Sequence, residues 1–321
     1  GNLDTLSALA KLAYEGRRAA VFRNQLLDAM RMLDAGYVDL AQFQGSWAGA
    51  FGHMQFMPAT FMLHAVDGDQ DGKIDVTNSM PDAFASAARY LSQVGWRMGE
   101  PVMLEVQLPA GFAWQDARLT VRKTVEEWAS LGVRAMAGAK AIDERLTRDT
   151  PTSKGAQSSQ LKRPENGKNK NPTQSSSYLP LSASADNALS LNALPDTTGT
   201  AAIVLPQGWK GPAFMVFDNF DVIMDWNRSV NYALSVAQLA RRINQQSRII
   251  GGQQAEQGAL SFEQMLQLQQ VLNGKGFDAG EPDGLPGLKT QNAIRDYQQS
   301  MQLPADGYAS PSLYTRLTSE Q

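Results

Sequence analysis

The sequence predicts a mainly α-helical protein of the α+β class, with a small β subdomain and a separate three-helix unit at the C-terminal end. Three observations indicate this class. Apolar residues recur at helical spacing over residues 3–35, 80–94 and 229–243. Alternation typical of strands is confined to residues 102–122. Residues 259–321 contain two Asp-Gly turns, each followed by a helix start.

Residues 3–35 are predicted to form two helices. Leu residues line the first helix, and Asn2 or Asp4 can cap it. Gly36 is a suitable end for the second helix. That helix, about residues 18–35, places these apolar residues at helical spacing: Val21, Phe22, Leu26, Leu27, Met30 and Leu33.

Further along the chain, one helix, two short strands and another helix are predicted. The helix over residues 80–94 turns Phe84, Ala87, Ala88 and Leu91 inward. The segments VMLEVQLP and ARLTVRK, within residues 102–123, resemble short strands around a Gly-Phe turn. A short helix follows over residues 124–131.

Composition excludes several functional classes. The net charge is −3, which gives no reason to expect nucleic acid as a partner. Cysteine is absent, so there are no disulfides and no cysteine-based metal sites. No apolar run approaches the roughly 18–20 residues that a bilayer span needs. His53 and His64 leave little scope for histidine chemistry.

The chain is predicted to divide into two domains joined by polar segments. Residues 150–200 are rich in Ser, Lys, Asn and Pro and cannot bury enough apolar surface to offset the entropy of ordering, so we expect a disordered insertion or linker. Residues 1–149 and 201–247 then form one domain. Residues 248–258 are a second linker, and residues 259–321 form a compact C-terminal domain.

The C-terminal domain resembles the peptidoglycan-binding domain that is often attached to cell-wall hydrolases. Its first helix carries Leu266, Gln269 and Leu272, and Asp283-Gly284 and Asp306-Gly307 form the repeated turns. Thr290 is the expected cap of the next helix. The alternative interpretation of residues 259–321 is a generic helical unit that uses Asp-Gly turns.

The stretch GSWAGAFGHMQFMPATF, residues 45–61, has no charged turn and no helical period. Together with AVDGDQDGKIDVTNSMPDAFASAARYLSQVGW and, after the insertion, MDWNRSVNYALSVAQLARRI, it resembles the lytic murein transglycosylase B family. The resemblance covers the chain apart from the linker and the C-terminal domain. It implies a lysozyme-like helical core that cleaves the MurNAc–GlcNAc bond of peptidoglycan without water and leaves 1,6-anhydro ends.

The resemblance also implies site residues. Ser46, Gln55 and Phe56 are expected to line the site, with Ser46 hydrogen-bonded to the catalytic carboxyl. Tyr90 and Tyr232 match groove tyrosines, and Trp226 replaces a tyrosine that is frequent in relatives. The residue types agree with these roles. Small residues allow close approach of a sugar chain, Gln is both donor and acceptor, and Phe56 offers a flat surface. Taken singly, Ser46 also fits a turn, and Phe56 fits a core position.

The catalytic acid is expected outside the sequence. In the family, the glutamate opens a motif E-S/T-x-aromatic-G, and Gly1 matches a later glycine, which puts the glutamate about eight positions before Gly1. Glu15 is a weaker candidate within the chain. Arg17 and Arg18 flank it and would lower its pKa, which suits an ion pair better than a general acid. Glu100, Glu105, Glu126 and Glu127 lie in predicted strands or on an exposed helix.

A calcium-like loop, DGDQDGKIDVTN, spans residues 67–78. It matches the first nine positions of an EF-hand loop, with Gly72 at the sharp turn and Asn78 in place of the bidentate Glu. We therefore expect a structural Ca²⁺ and no organic cofactor; an acidic turn whose Asp residues act as caps is the alternative. The expected ligands are Asp67, Asp69, Asp71, Lys73, Asp75 and, by resemblance to the family, Asp82.

The leading hypothesis is thus a monomeric, periplasmic or cell-envelope lytic transglycosylase that acts on peptidoglycan glycan strands, with its signal peptide upstream of Gly1. The first alternative is a non-catalytic peptidoglycan-binding protein that keeps the groove. The second is a calcium-binding structural or adhesion module, favoured only if the groove residues are buried.

Overall fold

The computed structural model describes residues 1–15, 18–136, 193–256 and 258–319. The chain forms two compact units. One consists of Gly1–Met98 and Asp221–Arg228, and the other of Gly99–Phe220 and Ser229–Gln321. Of the insertion predicted at residues 150–200, residues 150–192 lie outside the described residues. The boundary at residue 200 was wrong, because Leu194 packs against the core of the second unit and Thr200 begins a strand of its sheet.

The first unit is helical. Strands β1 (Leu3–Asp4) and β2 (Gln44–Gly45) form a small antiparallel pair. The helices are α1 (Thr5–Glu15), α2 (Ala19–Asp34), α3 (Pro58–His64) and α4 (Met80–Gln93). They enclose a core of Leu9, Ala29, Met32, Phe43, Phe51, Phe56, Phe61 and Val76.

Local sequence signals account for the helix starts in this unit. Asp4 caps α1, as predicted, because its Oδ1 accepts the N–H of Ser7 at 2.7 Å. Helix α4 begins after Ser79, whose hydroxyl accepts the N–H of Asp82 at 3.3 Å. The predicted inward face of α4 was wrong at Phe84, which is 57% exposed, and at Ala88, which is also exposed, because the helix turns Ala83 and Ser86 inward instead.

The second unit contains a five-stranded antiparallel sheet in the order β4-β6-β7-β3-β5. Its strands are β3 (Met103–Gln107), β4 (Lys123–Thr124), β5 (Arg134–Ala135), β6 (Thr200–Val204) and β7 (Ala213–Val216). Before the C-terminal part it has the helices α5 (Val125–Ser130) and α7 (Val230–Ile243). Helix α6 (Asp218–Trp226) begins in this unit and continues into the first unit from Asp221. Trp128 is fully buried against the sheet and donates its indole N–H to the carbonyl of Ala201 at 2.8 Å.

The hairpin suggested within residues 102–122 is absent from the described sheet. Strand β3 pairs with β5 and β7, while the segment after the Gly-Phe turn contains a 3₁₀ turn at Trp114–Asp116 and joins the sheet only at Lys123. The partners of β3 come from distant parts of the sequence, so its local alternation did not identify them.

The C-terminal part of this unit has three helices, α8 (Phe262–Gly274), α9 (Leu288–Ser300) and α10 (Pro311–Ser319). The two Asp-Gly turns are held alike. Gln269 accepts the N–H of Gly284 at 2.8 Å, and Gln298 accepts that of Gly307 at 2.9 Å. Thr290 is not the expected cap, because it is buried inside α9 and receives a hydrogen bond from Gln269 at 2.9 Å.

These elements confirm the predicted fold class: mainly helical, with one small antiparallel sheet and a three-helix C-terminal part. Among the described residues, no helix has the length and apolar character needed to cross a bilayer.

Candidate glycan-binding site

The Gly-rich ribbon, residues 45–56, is a tight double turn. Phe51 forms bridges with Gly45 on one side and Phe56 on the other. The pair Phe51 and Phe56 exchange two backbone hydrogen bonds of 2.9 Å each. Neither regular helix nor regular strand describes this geometry, which explains why the sequence has no clear period here.

The glycines of the ribbon pack against protein. Gly49 has φ +82°, and a Cβ there would overlap the Leu9 side chain of α1. Gly52 has φ +71°, and a Cβ there would lie 2.7 Å from the carbonyl oxygen of Val76. The expectation that the small residues make room for a sugar chain is therefore replaced by a packing role at these two positions.

Ser46 lies at the edge of the ribbon and is half-buried. Its hydroxyl oxygen accepts the N–H groups of Ala48 at 3.3 Å and Ala50 at 3.1 Å, so the side chain holds the turn. Because a hydroxyl is also a donor, Ser46 can accept both bonds and still offer its proton to a carboxylate. Ser46 can thus stabilise the turn and also bind a catalytic carboxyl group.

Gln55 combines exposure with an unusual backbone. Its φ is +51°, a conformation uncommon for a residue with a side chain. Its Nε2 donates to the carbonyl of Gly52 at 2.9 Å, which fixes the amide. The exposed amide has a carbonyl oxygen and a second N–H with which to meet the hydroxyl and N-acetyl groups of a sugar.

An aromatic cluster lies in the same unit. We define it as Phe56, Tyr90, Trp226 and His64. The centroids of Tyr90 and Trp226 are 5.0 Å apart at an interplanar angle of 78°, and those of Phe56 and Trp226 are 5.4 Å apart. Both separations fall in the range of favourable aromatic pairs.

The structure corrects the expected role of Phe56 within this cluster. Its side chain is only 2% exposed, so it cannot offer a flat surface to a sugar ring. It packs in the core and supports Tyr90 and Trp226, both of which are half-buried.

Tyr90 is held neutral. Its partial burial raises the pKa of the phenol, and the nearby carboxylate of Asp225 raises it further. The phenol therefore remains protonated in neutral solution and can donate a hydrogen bond.

Sequence reasoning missed His64. Its ring meets Tyr90 edge-on at 4.9 Å, and its Nδ1 lies 2.6 Å from Oε1 of Gln93. Since an amide oxygen only accepts, Nδ1 carries the proton in this arrangement. Helical spacing alone gives no signal for this contact, because His64 is on α3 and Tyr90 is on α4.

Tyr232, the other expected groove residue, lies at the start of α7 in the second unit and is 38% exposed. Its backbone N–H donates to the hydroxyl of Ser229 at 3.3 Å. The first unit therefore contains six of the expected or newly found residues, Ser46, Gln55, Phe56, His64, Tyr90 and Trp226, without Tyr232.

The candidate acids divide by their contacts. Glu105 accepts the N–H groups of Ile250 at 3.0 Å and Gly251 at 2.6 Å, and Glu127 completes a capping box with Thr124. Glu100 accepts the hydroxyl proton of Thr197 at 2.6 Å. Glu126 is exposed on α5, and Glu15 is the last residue of α1, with its side chain outside the described part. The carboxylates of Glu100, Glu105 and Glu127 therefore make structural hydrogen bonds.

Gly1 lies beside Ser46. A Cβ on Gly1 would overlap the Gly45 carbonyl and lie 2.7 Å from the Ser46 nitrogen. Strand β1 pairs with β2 directly after this contact, with Leu3 opposite Gly45. The backbone at Gly1 is therefore fixed against the edge of the ribbon.

The acidic loop brings together part of its expected ligand set. Carboxylate oxygens of Asp67, Asp69 and Asp82 all lie within 4.8 Å of one another. Asp71 and Asp75 lie outside this cluster, and they accept the N–H groups of Lys73 at 2.8 Å and Asn78 at 2.8 Å respectively. The clustered Asp67 and Asp69 also accept loop N–H groups, from Gly72 at 2.8 Å and Asp71 at 3.3 Å. Lys73 thus has its backbone in the turn and adds no side-chain oxygen.

Asp82 joins the loop to α4. It is 1% exposed, and its two oxygens accept the N–H groups of Gly68 and Asp75, each at 2.7 Å. An all-oxygen donor set of this kind suits a hard cation such as Ca²⁺.

One cavity of about 380 Å³ also lies in this unit. Its lining includes Tyr37, Phe51 and Asn78, so it belongs to the region between the end of α2 and the acidic loop.

The chain matches two family models. The model described as Transglycosylase SLT domain matches residues 1–171 and 157–241, and the model described as Putative peptidoglycan binding domain matches residues 263–317.

One curated relative and two solved structures extend the comparison. The chain is 36% identical over 118 residues to the Membrane-bound lytic murein transglycosylase B of Escherichia coli (strain K12), a match that covers 35% of this chain and 32% of that protein. SltB3 from Pseudomonas aeruginosa, solved in complex with NAG-NAM-pentapeptide, aligns with a TM-score of 0.76 and 36% identity over 99% of this chain and 71% of that chain. Slt35 from Escherichia coli, solved in complex with calcium, aligns with a TM-score of 0.51 and 22% identity over 76% of this chain and 60% of that chain, which is evidence for a shared fold alone.

Proposed function

Because the chain belongs to the family of lytic transglycosylases with an SLT domain, here followed by a peptidoglycan-binding domain, we propose that it acts in the cleavage of the MurNAc–GlcNAc β-1,4 bond of peptidoglycan. The observation that carries the proposal is the aromatic cluster beside the ribbon, in a chain 36% identical to SltB3, which was solved with NAG-NAM-pentapeptide.

The chemistry needs a single carboxyl group. As an acid, it gives its proton to the glycosidic oxygen while the bond from that oxygen to C1 breaks. The resulting carboxylate then takes the proton of the C6 hydroxyl, whose oxygen bonds to C1 and closes the 1,6-anhydro ring. No water enters, so the second carboxylate of ordinary glycosidases is unnecessary.

Four residues of the first unit have proposed roles in this reaction. Ser46 donates its hydroxyl proton to the carboxyl group and keeps it oriented. Gln55 hydrogen-bonds an N-acetyl or hydroxyl group of the glycan, and Tyr90 and Trp226 contact a sugar ring. Tyr232, in the second unit, stays a prediction from the family resemblance.

The acid itself is proposed to lie outside residues 1–321, about eight positions before Gly1 in the full-length protein. The family motif supports this, because Gly1 matches its later glycine, and Gly1 packs against the backbone of Gly45 and Ser46. On this proposal, residues 1–321 bind glycan but do not turn it over.

Incubation with purified sacculi tests the function. We expect no 1,6-anhydro-muropeptides above background from residues 1–321, and clear release when the residues that precede Gly1 are restored. Mass spectrometry of the soluble products measures both. Release by residues 1–321 would contradict the placement of the acid, whereas absence of anhydro products from the longer protein would contradict the function and favour a non-catalytic binding protein.

We also propose one structural Ca²⁺ held by Asp67, Asp69 and Asp82. The clustering of their oxygens supports this, and the solved calcium complex of Slt35 agrees with it. The ion would offset the mutual repulsion of the carboxylates and tie the acidic loop to α4.

The same proposal gives the domain roles and location. We assign residues 1–149 and 201–247 to the transglycosylase domain and residues 259–321 to wall binding, with the predicted linkers at residues 150–200 and 248–258 between them. Thr200 already belongs to β6, and Ile250 and Gly251 donate to Glu105. Such a protein works in the cell envelope, where peptidoglycan is found.

A further inference from the structure

We propose that the second unit contains a separate binding site for a neutral amino-sugar ring, formed between the loop of residues 207–210 and the C-terminal helical part. A cavity of about 300 Å³ lies there, lined by residues of both segments. This volume is at the lower end of the range for small-ligand sites. The choice of a glycan as ligand rests on the proposed function.

The loop is fixed against the C-terminal part. The backbone N–H of Trp209 donates to Oδ2 of Asp306 at 2.8 Å. Gly208 has φ +72°, and a Cβ there would lie 2.8 Å from the same oxygen and 3.0 Å from the Tyr308 ring. The close approach therefore needs glycine, and it sets the position of the next residue, Trp209.

Asp306 is an ordered anchor for this contact. It is 7% exposed, and its other oxygen accepts from Nε2 of Gln298 at 2.7 Å and from the N–H of Tyr308 at 2.9 Å. The hydrogen-bonding capacity of this carboxylate is thus directed to the fold, which leaves ligand contacts to its neighbours.

Trp209 supplies the platform. Its side chain is 43% exposed, although its ring packs against Trp114 with centroids 5.9 Å apart. Nζ of Lys210 lies 5.4 Å from the ring centroid. A partly exposed indole whose backbone N–H is bonded and whose ring meets a second ring at 61° can contact the C–H face of a sugar at little entropic cost.

The polar lining suits hydroxyl and acetamide groups. Glu256 accepts from the hydroxyl of Ser312 at 2.6 Å and from Lys210 at 3.3 Å. Burial, together with the carboxylates of Glu256 and Asp306, raises the pKa of Tyr308, so its phenol stays a donor.

Charge favours a neutral ligand. The lining contains two cations, Lys210 and Arg316, and two carboxylates, Glu256 and Asp306. Their formal charges cancel, and Lys210 is already paired with Glu256. A free peptide stem, which carries carboxylates, would find no excess of positive charge here, whereas an N-acetylated sugar needs none.

Calorimetric titration of the 321-residue chain with tetra-N-acetylchitotetraose tests the site. We expect two binding events in the unmodified chain and one in Trp209→Ala. Phe262→Ala is the matched control, since Phe262 is an exposed aromatic residue, 57% exposed, in the same unit but outside the cavity lining. It should keep both events.

Tyr308→Phe removes a single hydroxyl and decides the matter if Trp209→Ala fails to fold. It should weaken one event by roughly tenfold, the effect of a lost directional hydrogen bond to ligand. One event in the unmodified chain, equally strong in Trp209→Ala or Tyr308→Phe, would overturn this site and leave the proposed function standing. Absence of both events would contradict the site and the glycan groove together. Saturable binding of a sugar-free peptide stem that depends on Trp209 would overturn the choice of ligand.

Discussion

Gln55 is the residue at which backbone strain and proposed function coincide. A side chain in the left-handed region costs free energy, of order 1 kcal/mol or more. Glycine would remove that cost, yet the chain has an exposed glutamine at φ +51°, whose amide also bonds the Gly52 carbonyl. We infer that the amide is retained for contact with the glycan.

Two substitutions separate these contributions. Gln55→Ala keeps the strain and Gln55→Gly relieves it, while both remove the amide. We expect both to lower glycan affinity by roughly tenfold, and the alanine variant to be the less stable of the two by about 1 kcal/mol. Urea unfolding and glycan titration measure the two effects.

Gln302 provides the control, because it also has a positive φ, +55°, but lies in the C-terminal part. Gln302→Ala should leave glycan affinity unchanged. Unaltered affinity in both Gln55 variants would mean that the amide serves only its bond to Gly52.

Other residues show that a single sequence position does not predict whether its side chain is buried. The sequence predicts Ser46, Tyr90 and Trp226 as site residues, and the structure places all three in one unit. It did not separate a buried aromatic from an exposed one, so Phe56 was expected on the surface although it is 2% exposed. Burial depends on which elements pack above a residue, and those elements come from elsewhere in the chain.

At the scale of elements, the structure brings together only part of the ligand set that the acidic loop predicts. The spacing of its Asp residues predicted a cation site, and three oxygens do cluster. The motif could not show that Asp71 and Asp75 serve as local turn caps, because short Asp side chains bond neighbouring N–H groups as readily as they bind metals.

Calcium binding should therefore depend on Asp69 more than on Asp71. Asp69→Asn removes one charge from the cluster, and we expect at least a roughly tenfold loss of Ca²⁺ affinity, with loss of the Ca²⁺-induced rise in melting temperature. Asp71→Asn is the matched control and should change affinity less. Calorimetry and thermal unfolding, each with and without chelator, test this; equal effects of both variants would contradict the three-oxygen site.

Helix existence was more predictable than helix orientation. The predicted helices at residues 18–35, 80–94 and 229–243 correspond to α2, α4 and α7. The inward face of α4 was misassigned because the apolar stripe of this helix is broader than the surface that it buries. Some apolar residues of the stripe, such as Phe84, therefore remain exposed to solvent. Strand β3 was found from alternation, but its partners β5 and β7 were not, since pairing is a non-local property.

At the scale of the whole molecule, the chain combines a helical unit with the ribbon and a second unit with the sheet and the C-terminal helices. The family resemblance, carried by residues 45–61 and by the Asp-Gly turns, gave the fold class and the function class together. The cavity beside Trp209 had no sequence signal, because it is formed by segments about 100 residues apart in the sequence that only the fold joins.

The central claim is that the ribbon and the aromatic cluster form a glycan site, and Tyr90→Ala tests it most directly. Titration of ¹⁵N-labelled chain with tetra-N-acetylchitotetraose, followed through the indole N–H signal of Trp226, reports on this site alone. We expect saturable shifts that weaken by roughly tenfold or more in Tyr90→Ala. They should persist in Tyr14→Ala, whose parent side chain is 90% exposed on α1. A Trp226 signal that does not respond to glycan, or responds equally in Tyr90→Ala, would contradict the account.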